Sequence, residues 1–356
     1  MAEWKEYELN QICSRLSSGK GLPAKKISDS GKYPVYGGNG LRGYTETANF
    51  EGDCAIIGRQ GAYCGNVRYF SGTAYMTEHA VVTCANENNN TRYLSYLLST
   101  MNLGRLSGQS AQPGLSVKTL GKQVVKVPPL TIQNKIVSIL AALDTKIEDN
   151  EKINKNLEQQ ISVLYQSWFE DFDLTEGVCP ESWSNQELST IAEISSGKRP
   201  PIKAESYSQE TPIPIVGAAS VMGFTSEANH KDKILVTGRV GTHGIVQRFS
   251  TPCWTSDNTL VIKSDYYEFT NQILRRIDYS SMNRGSTQPL ITQGDMKKVE
   301  VLVPDDIVLA KFEAFAGTLM AQWEANNQEN INLANLRDTL LPKLMSGELD
   351  VSGLDI

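Results

Sequence analysis

The sequence predicts an α+β chain. Two similar β-rich domains are separated by two long helices that form an antiparallel coiled coil, giving an internal pseudo-two-fold repeat. Three observations predict this. The chain repeats itself in collinear order, the apolar runs inside each repeat are short and bounded by glycine, and each repeat is followed by a long stretch with helical apolar spacing.

The repeat starts at Trp4 with "WKEYELNQICSRLSSGK" and again at Trp183 with "WSNQELSTIAEISSGK". Trp4, Glu8, Leu9 and Ile12 match Trp183, Glu187, Leu188 and Ile191, and Ser17-Ser18-Gly19-Lys20 matches Ser195-Ser196-Gly197-Lys198. Further on, "GLRGYTETAN" (40–49) answers "SVMGFTSEAN" (220–229), and "GRQG" (58–61) answers "GRVG" (238–241). "TEHAVV" (77–82) answers "SDNTLV" (256–261), and "QPGLSVKTLGKQVVKVP" (112–128) answers "QPLITQGDMKKVEVLVP" (288–304). Offsets that drift only from 180 to 176 over such matches mark a duplicated unit.

Within each copy the apolar runs "CAIIG", "HAVVT" and "VVKVP", and then "KILVTG", "TLVIK" and "VEVLVP", read as short strands between turns. Residues 91–101 and 269–277 read as one helix per copy. From Thr131 to about Glu170 the apolar residues Ile132, Ile136, Ile139, Leu140, Leu143, Ile147, Leu157, Ile161, Leu164 and Trp168 recur at helical spacing, just after Pro128 and Pro129. The second stripe runs from Ile307 to about Leu344 through Phe312, Phe315, Leu319, Trp323, Leu333, Leu336 and Leu340. About 40 helical residues span about 60 Å, too long for an average globular helix. Pairing the two stripes buries both at once, with Ile147, Asn150, Asn154, Leu157, Ile161, Leu164, Trp323, Asn326, Asn330, Leu333 and Leu340 at the seam. Asparagine there lowers stability but fixes register. The expected boundaries are residues 1–130 for the first domain, 131–172 for its helix, 173–306 for the second domain and 307–356 for the second helix and tail. The expected shape is a rigid spacer with a similar domain at each end.

Net charge is −6 over 356 residues, which taken whole argues weakly against a nucleic-acid partner. By segment it is +5 for residues 1–128, −3 for 129–172, −2 for 173–304 and −6 for 305–356. The acid therefore collects in the helical stretches and leaves the two domains able to carry basic faces. Six cysteines without a C-x-x-C pair, and three isolated histidines (His79, His230, His243), predict reduced thiols and no metal site. No run of about 18 apolar residues suggests a membrane span, and the polar start "MAEWKEYELN" is unlike a signal peptide. A cytoplasmic protein is expected.

Gly38, Gly40 and Gly43 in "YGGNGLRGYT" match G-x-G-x-x-G, the signature of a nucleotide-binding enzyme. That reading needs a strand before and a helix after, yet "YTETANFEG" has no helical period. The second copy keeps Gly37 as Gly217 and Gly43 as Gly223, but has Ala218 and Ser220 in place of Gly38 and Gly40. The retained glycines are expected to be turn positions with unusual backbone angles.

The repeated starts "W…EL…I…SSGK", the "GRxG" turns, the "TEHAVV"/"SDNTLV" pair, the "QP…V.VP" exits and the ending "NLRDTLLPKLMSGELDV" (335–351) together resemble the specificity (S) subunit of type I restriction–modification systems. The resemblance covers essentially the whole chain. It implies two target recognition domains, each reading one half of a bipartite double-stranded DNA sequence, and helices that set the gap and dock two methyltransferase (M) subunits. A restriction (R) subunit joins that complex. It implies no catalysis in this chain: S-adenosylmethionine, ATP and Mg belong to the partner subunits. In agreement, no Asn/Asp-Pro-Pro-aromatic loop and no G-x-x-x-x-G-K-[ST] loop is present. A methylation-only complex is the alternative.

Phosphate contacts need cations, and base reading needs polar side chains on loops that approach closely. In the first domain these are Lys20, Arg42, Arg59, Gln60, Tyr63, Arg105, Gln109 and Gln112; in the second, Lys198, Arg199, Arg239, Thr242, His243, Arg284, Thr287 and Gln288. Shared positions such as Lys20/Lys198, Arg59/Arg239 and Gln112/Gln288 suit phosphate anchoring or loop bracing. Differing positions, Gln60 opposite Val240, Tyr63 opposite His243 and Arg42 opposite Met222, suit a difference in the sequence read. Glu78/Asp257 and His79/Asn258 suit turn capping as well as contact.

Overall fold

The computed structural model describes residues 3–107, 114–282, 284 and 290–355. The chain forms two compact units, residues 1–150 with 328–356, and residues 151–327.

In the first unit β1 (Lys5–Glu8) and α1 (Leu9–Ile12) lead into β2 (Cys13–Ser18). There follow the hairpin β3 (Tyr33–Gly37) and β4 (Gly40–Thr45), then β5 (Phe50–Gly58), β6 (Val67–Met76) and β7 (Ala80–Ala85). Helices α2 (Thr91–Thr100) and α3 (Val117–Gly121) precede β8 (Val124–Val127) and α4 (Leu130–Tyr165). The sheet order is β2-β7-β5-β6-β3-β4, and β1 pairs with β8. Asn90 starts α2 by accepting the Arg92 and Tyr93 backbone N–H groups, and Tyr93, Leu94, Leu97 and Leu98 are buried on its inner face. Buried Gln133 fixes the start of α4: its oxygen accepts the Asn90 N–H at 2.9 Å and its amide donates to Pro128 O at 2.9 Å.

The second unit carries β9 (Ser184–Glu187), β10 (Glu193–Ser196), β11 (Ile213–Val216), β12 (Val221–Thr225), β13 (Ile234–Gly238), β14 (Gln247–Phe249), β15 (Trp254–Thr255) and β16 (Thr259–Lys263). Helices α5 (Tyr267–Arg276) and α6 (Gln293–Lys297), strand β17 (Glu300–Val303) and helix α7 (Asp306–Ser346) follow. Its strands order as β10-β16-β13-β14 and β12-β11-β15, with β17 on β9. What is one continuous strand in the first unit, β6, is here β14 and β15 with Pro252 between them. Proline has no N–H to give to a ladder.

Several repeated residues have a structural explanation. A Cβ on Gly19 would stand 2.1 Å from Met76 O, and one on Gly197 2.1 Å from Ser256 O, so the Ser-Ser-Gly-Lys turn is a close backbone approach in both units. Asn49 brackets Met76, accepting its N–H at 2.8 Å and donating to its carbonyl at 3.0 Å; Asn229 does the same to Thr255 at 2.9 and 3.3 Å.

Each unit holds part of α4 against an antiparallel part of α7. In the first, Ile136, Leu140, Leu344 and Met345 share a core with Leu94 and Leu98. Asn150 donates to Glu329 at 2.7 Å and Asn330 at 2.8 Å. The first unit also places Gly347, at φ 76°, so close to Trp4 that a Cβ would meet the ring at 3.0 Å. In the second, Ile161, Tyr165, Phe169, Phe312, Ala316 and Met320 form the core, with Phe169 5.7 Å from the Trp183 ring. Asn326 donates to Asn154 at 2.8 Å, and Asn154 to Asn327 at 3.0 Å. Ile147, Leu164, Trp323, Leu333 and Leu340 are half-buried, and Leu157 is buried.

Three residues of the expected α7 stripe lie outside it: Ile307, Phe315 and Leu336 are 71%, 59% and 48% exposed. Phe312, Ala316 and Met320 take the inward line four residues apart, which turns Phe315 about 100° away from Ala316. A small residue, Ala316, occupies the place that hydrophobicity alone assigns to Phe315.

Candidate nucleic-acid interface

At one end of the first sheet three loops converge: the β3–β4 turn, the β5–β6 loop and the β6–β7 turn. The β6–β7 turn closes with the Ala80 N–H on Thr77 O at 3.0 Å, and it receives the Arg59 N–H at His79 O, 2.9 Å. Gly19 N–H reaches Ala80 O and Lys20 N–H reaches Met76 O, both at 3.0 Å, which brings exposed Lys20 to the same turn. Gly38 is packed so closely that a Cβ would meet His79 O at 2.9 Å and Gly58 Cα at 3.4 Å. Exposed Gln60 and Tyr63 therefore stand beside half-buried Arg59. The Arg59 guanidinium lies 3.5 Å from Glu78 O, a long contact that braces its own loop. Gly104 packs on Cys64, so exposed Arg105 borders the β5–β6 loop.

The β3–β4 strand pair contains a bulge, and Arg42 is its extra residue. The side chain lies back over Gly37, where a Cβ would meet its Cδ at 2.6 Å. The second unit repeats this device: Met222 occupies the bulge and a Cβ on Gly217 would meet its Sδ at 3.2 Å. Of the retained glycines only Gly43 and Gly223 have the left-handed angle expected, φ 137° and 146°. Gly37 and Gly217 are instead kept small by the side chain lying on them. Gly38–Gly43 thus belongs to a β-hairpin, and β5 follows it in place of a helix, which removes the nucleotide-loop reading.

The second unit builds the same end. Arg239 N–H donates to Asn258 O at 2.8 Å, Lys198 N–H to Thr255 O at 2.9 Å, and Trp254 Nε1–H to Lys198 O at 2.7 Å. Lys198, Arg199 and Thr242 are exposed. His243 turns inward, its Nδ1 3.2 Å from Gly238 O. Its counterpart is Cys64, whose thiol lies 3.4 Å from Arg59 O. The residue matching Tyr63 is Thr242, since a Cβ on Gly58 would strike Tyr63 O and one on Gly238 would strike Thr242 O. The expected opposition of Tyr63 and His243 is corrected accordingly: the second loop is one residue shorter. Arg284 is ion-paired with Asp295, whose carboxyl is held below its usual range, first by the Thr292 hydroxyl and, more weakly, by Arg284. Gln109, Gln112, Thr287 and Gln288 lie outside the described residues.

Sequence reasoning missed Arg68. Its guanidinium lies against the β3–β4 turn, where a Cβ on Gly40 would stand 3.3 Å from it. Strand register makes Gln247 its counterpart, and Gln247 donates to Gly217 O at 2.8 Å in the matching hairpin. The signal was present in "NVRYFS" and "IVQRFS", residues 66–71 and 245–250. The arrangement offers guanidinium, ammonium and amide donors around glycine-rich backbone, a chemistry suited to phosphate oxygens and base edges.

Known proteins carry the same pattern. The family described as the type I restriction modification DNA specificity domain matches residues 1–159 and again 180–335. The specificity subunit of the type I restriction enzyme EcoprrI of Escherichia coli is 39% identical over 147 residues, 40% of this chain and 36% of that protein. The MjaIX specificity subunit of Methanocaldococcus jannaschii is 26% identical over 304 residues, 74% of this chain and 70% of that one. The crystal structure of a type I restriction-modification S subunit from M. genitalium has the same fold, with a TM-score of 0.64 at 17% identity over 96% of each chain. No helix among the described residues is long and apolar enough to cross a membrane. With both repeats matched, the chain belongs to the type I restriction modification DNA specificity family.

Proposed function

We propose that each β-rich domain reads one half of a bipartite double-stranded DNA target, and that α4 and α7 set the gap and dock two methyltransferase subunits. A restriction subunit joins through that assembly. The observation that carries this reading is the loop set built twice on one backbone frame with different side chains: Gln60, Tyr63 and Arg42 in one unit, Val240, Thr242 and Met222 in the other. Two such surfaces on one chain suit two unlike half-sites. Lys20, Lys198, Arg59 and Arg239, at matched places, act on phosphate; the unmatched residues act on bases. The chain supplies recognition, and S-adenosylmethionine, ATP and Mg act on the partner subunits.

The test is to co-express the chain with its methyltransferase subunit and map methylated adenines across a genome. A two-part motif with a constant gap is expected, and the absence of any motif overturns the reading. An Arg59→Ala complex is expected to lose affinity for all sequences alike, with a salt slope shallower by about one.

A further inference from the structure

The hairpin faces of the two units differ in kind. In the first unit the face is cationic: Arg42 fills the bulge and Arg68 lies against Gly40. In the second, Met222 fills the bulge and lies over Gly217, where a Cβ would meet its Sδ at 3.2 Å. Gln247 takes the place of Arg68 and donates to Gly217 O at 2.8 Å, so the two side chains meet on one glycine. Gly65 and Gly244, at φ 87° and 79°, fix the next match, in which Asn66 answers Ile245. Val246 packs on the core and Arg248 reaches Glu268, so strand alternation turns Ile245 to the side of Gln247, towards the hairpin. Met222 and Ile245 are 40% and 44% exposed. Val221 is exposed as well, but so is its match Leu41. The faces therefore differ at Arg42/Met222, Asn66/Ile245 and Arg68/Gln247.

This apolar face has cations beside it. Exposed Lys198 is tied through its N–H to Thr255 on β15, and β15 pairs with β11, the hairpin strand opposite β12. Exposed Arg199 follows it. Phosphate oxygens call for donors, which a thioether and an alkyl chain lack. The apolar group that a base pair shows in the major groove is the thymine 5-methyl. A protein partner that met both units alike would have to fit an apolar face on one and a cationic face on the other. Two unlike half-sites fit both.

We propose that Met222 and Ile245 are specificity-determining residues that seat the 5-methyl group of one thymine in the half-site of the second domain. The proposal rests on the chain being a DNA-reading subunit. The first unit has Arg42 and Asn66 at the matching places, so the seat serves one half-site only.

The test uses complexes of the full chain with its methyltransferase subunits. Adenine-methylation mapping gives the motif, and binding is then measured on duplexes in which each thymine is replaced in turn by deoxyuridine, which lacks only the methyl. At least one replacement is expected to weaken binding about fourfold, the worth of one buried methyl. Met222→Arg and Ile245→Asn install the first unit's residues at exposed places, and thermal unfolding verifies that they fold. In each of them that effect is expected to fall to about twofold or less, while the other half-site keeps its wild-type response. If no thymine responds, or if the response persists in either variant, the proposal is overturned. It is overturned as well if folded variants fail to assemble with the methyltransferase subunits, which makes the face a protein contact. A wild-type complex with no two-part motif overturns the DNA reading itself. Should Met222→Arg not fold, Met222→Ala, which only shortens an exposed side chain, carries the comparison.

Discussion

In the first unit the ring of Tyr69, on β6, lies 5.0 Å from the Arg92 guanidinium of α2. Arg92 in turn stands 3.6 Å from Asp144 on α4, which also accepts the Tyr96 hydroxyl and takes Arg337 at 3.0 Å. In the second unit the place of Tyr69 is held by Arg248 and that of Arg92 by Glu268. These form a two-pronged ion pair at 2.5 and 2.6 Å, with side chains only 5% and 4% exposed. The charge at the helix position has reversed, yet the surrounding strands and helix are the same. What both units keep is the backbone frame: the close approach at Gly19 and Gly197 and the asparagine brackets at Asn49 and Asn229. The frame is shared because its contacts involve carbonyls and N–H groups, while the side-chain wiring was free to diverge in pairs.

That comparison breaks most directly at the buried pair. Glu268→Ala leaves Arg248 enclosed without its hydrogen-bonded carboxylate and is expected to lose about 3–5 kcal/mol from the second unit. Arg92→Ala in the first unit is expected to lose about 1 kcal/mol, because Asp144 keeps Arg337 and Tyr96. Hydrogen exchange resolved by segment measures each, and equal losses would show that the two networks are equivalent after all. Gly19→Ala and Gly197→Ala should instead cost the same, about 3 kcal/mol each, since both methyls would be forced onto a carbonyl. A clear inequality would mean that the frame is not shared.

The smallest effect concerns pH. Burial pushes the Glu313 carboxyl up from 4.5 to about 7, against two backbone N–H groups of α5, Glu268 at 3.1 Å and Phe269 at 2.8 Å, that favour its charge. A carboxyl raised in the folded state stabilises when protonated. Its contribution is therefore complete below about pH 4.5 and is lost as pH rises through about 7. The second unit should lose about 2 kcal/mol between pH 5 and 8 through this group. Glu313→Gln should remove that slope in denaturant titrations, and an unchanged slope would assign it to other groups. The matching place on α4 is Val137, so the first unit has no carboxyl at that position.

The duplication, the strands and both long helices were legible because each copy annotates the other. Legibility ended where one side chain displaces another. Ala316 lies inward and Phe315 outward because helical phase and close packing outrank hydrophobicity. The pairing of Tyr63 with Thr242 needed the backbone, since a one-residue deletion among Ala62, Tyr63 and Cys64 leaves no trace in composition. Gly37 looked like a turn glycine; only the bulge shows that its missing Cβ makes room for Arg42. Arg68 and His79 join the loop cluster through contacts across strands, which sequence spacing does not report.

The contact between Trp4 and Gly347 has a temporal consequence. Residues 151–327 form a unit from one continuous stretch, whereas the first unit joins residues 1–150 to 328–356. On the ribosome the amino-terminal strands emerge first but cannot complete their core until Leu344 and Met345 have been made. The second unit can finish earlier, during synthesis, because its contacts close within its own segment. The strands made before the second unit are thus sealed after it, and they must stay out of aggregates in the meantime.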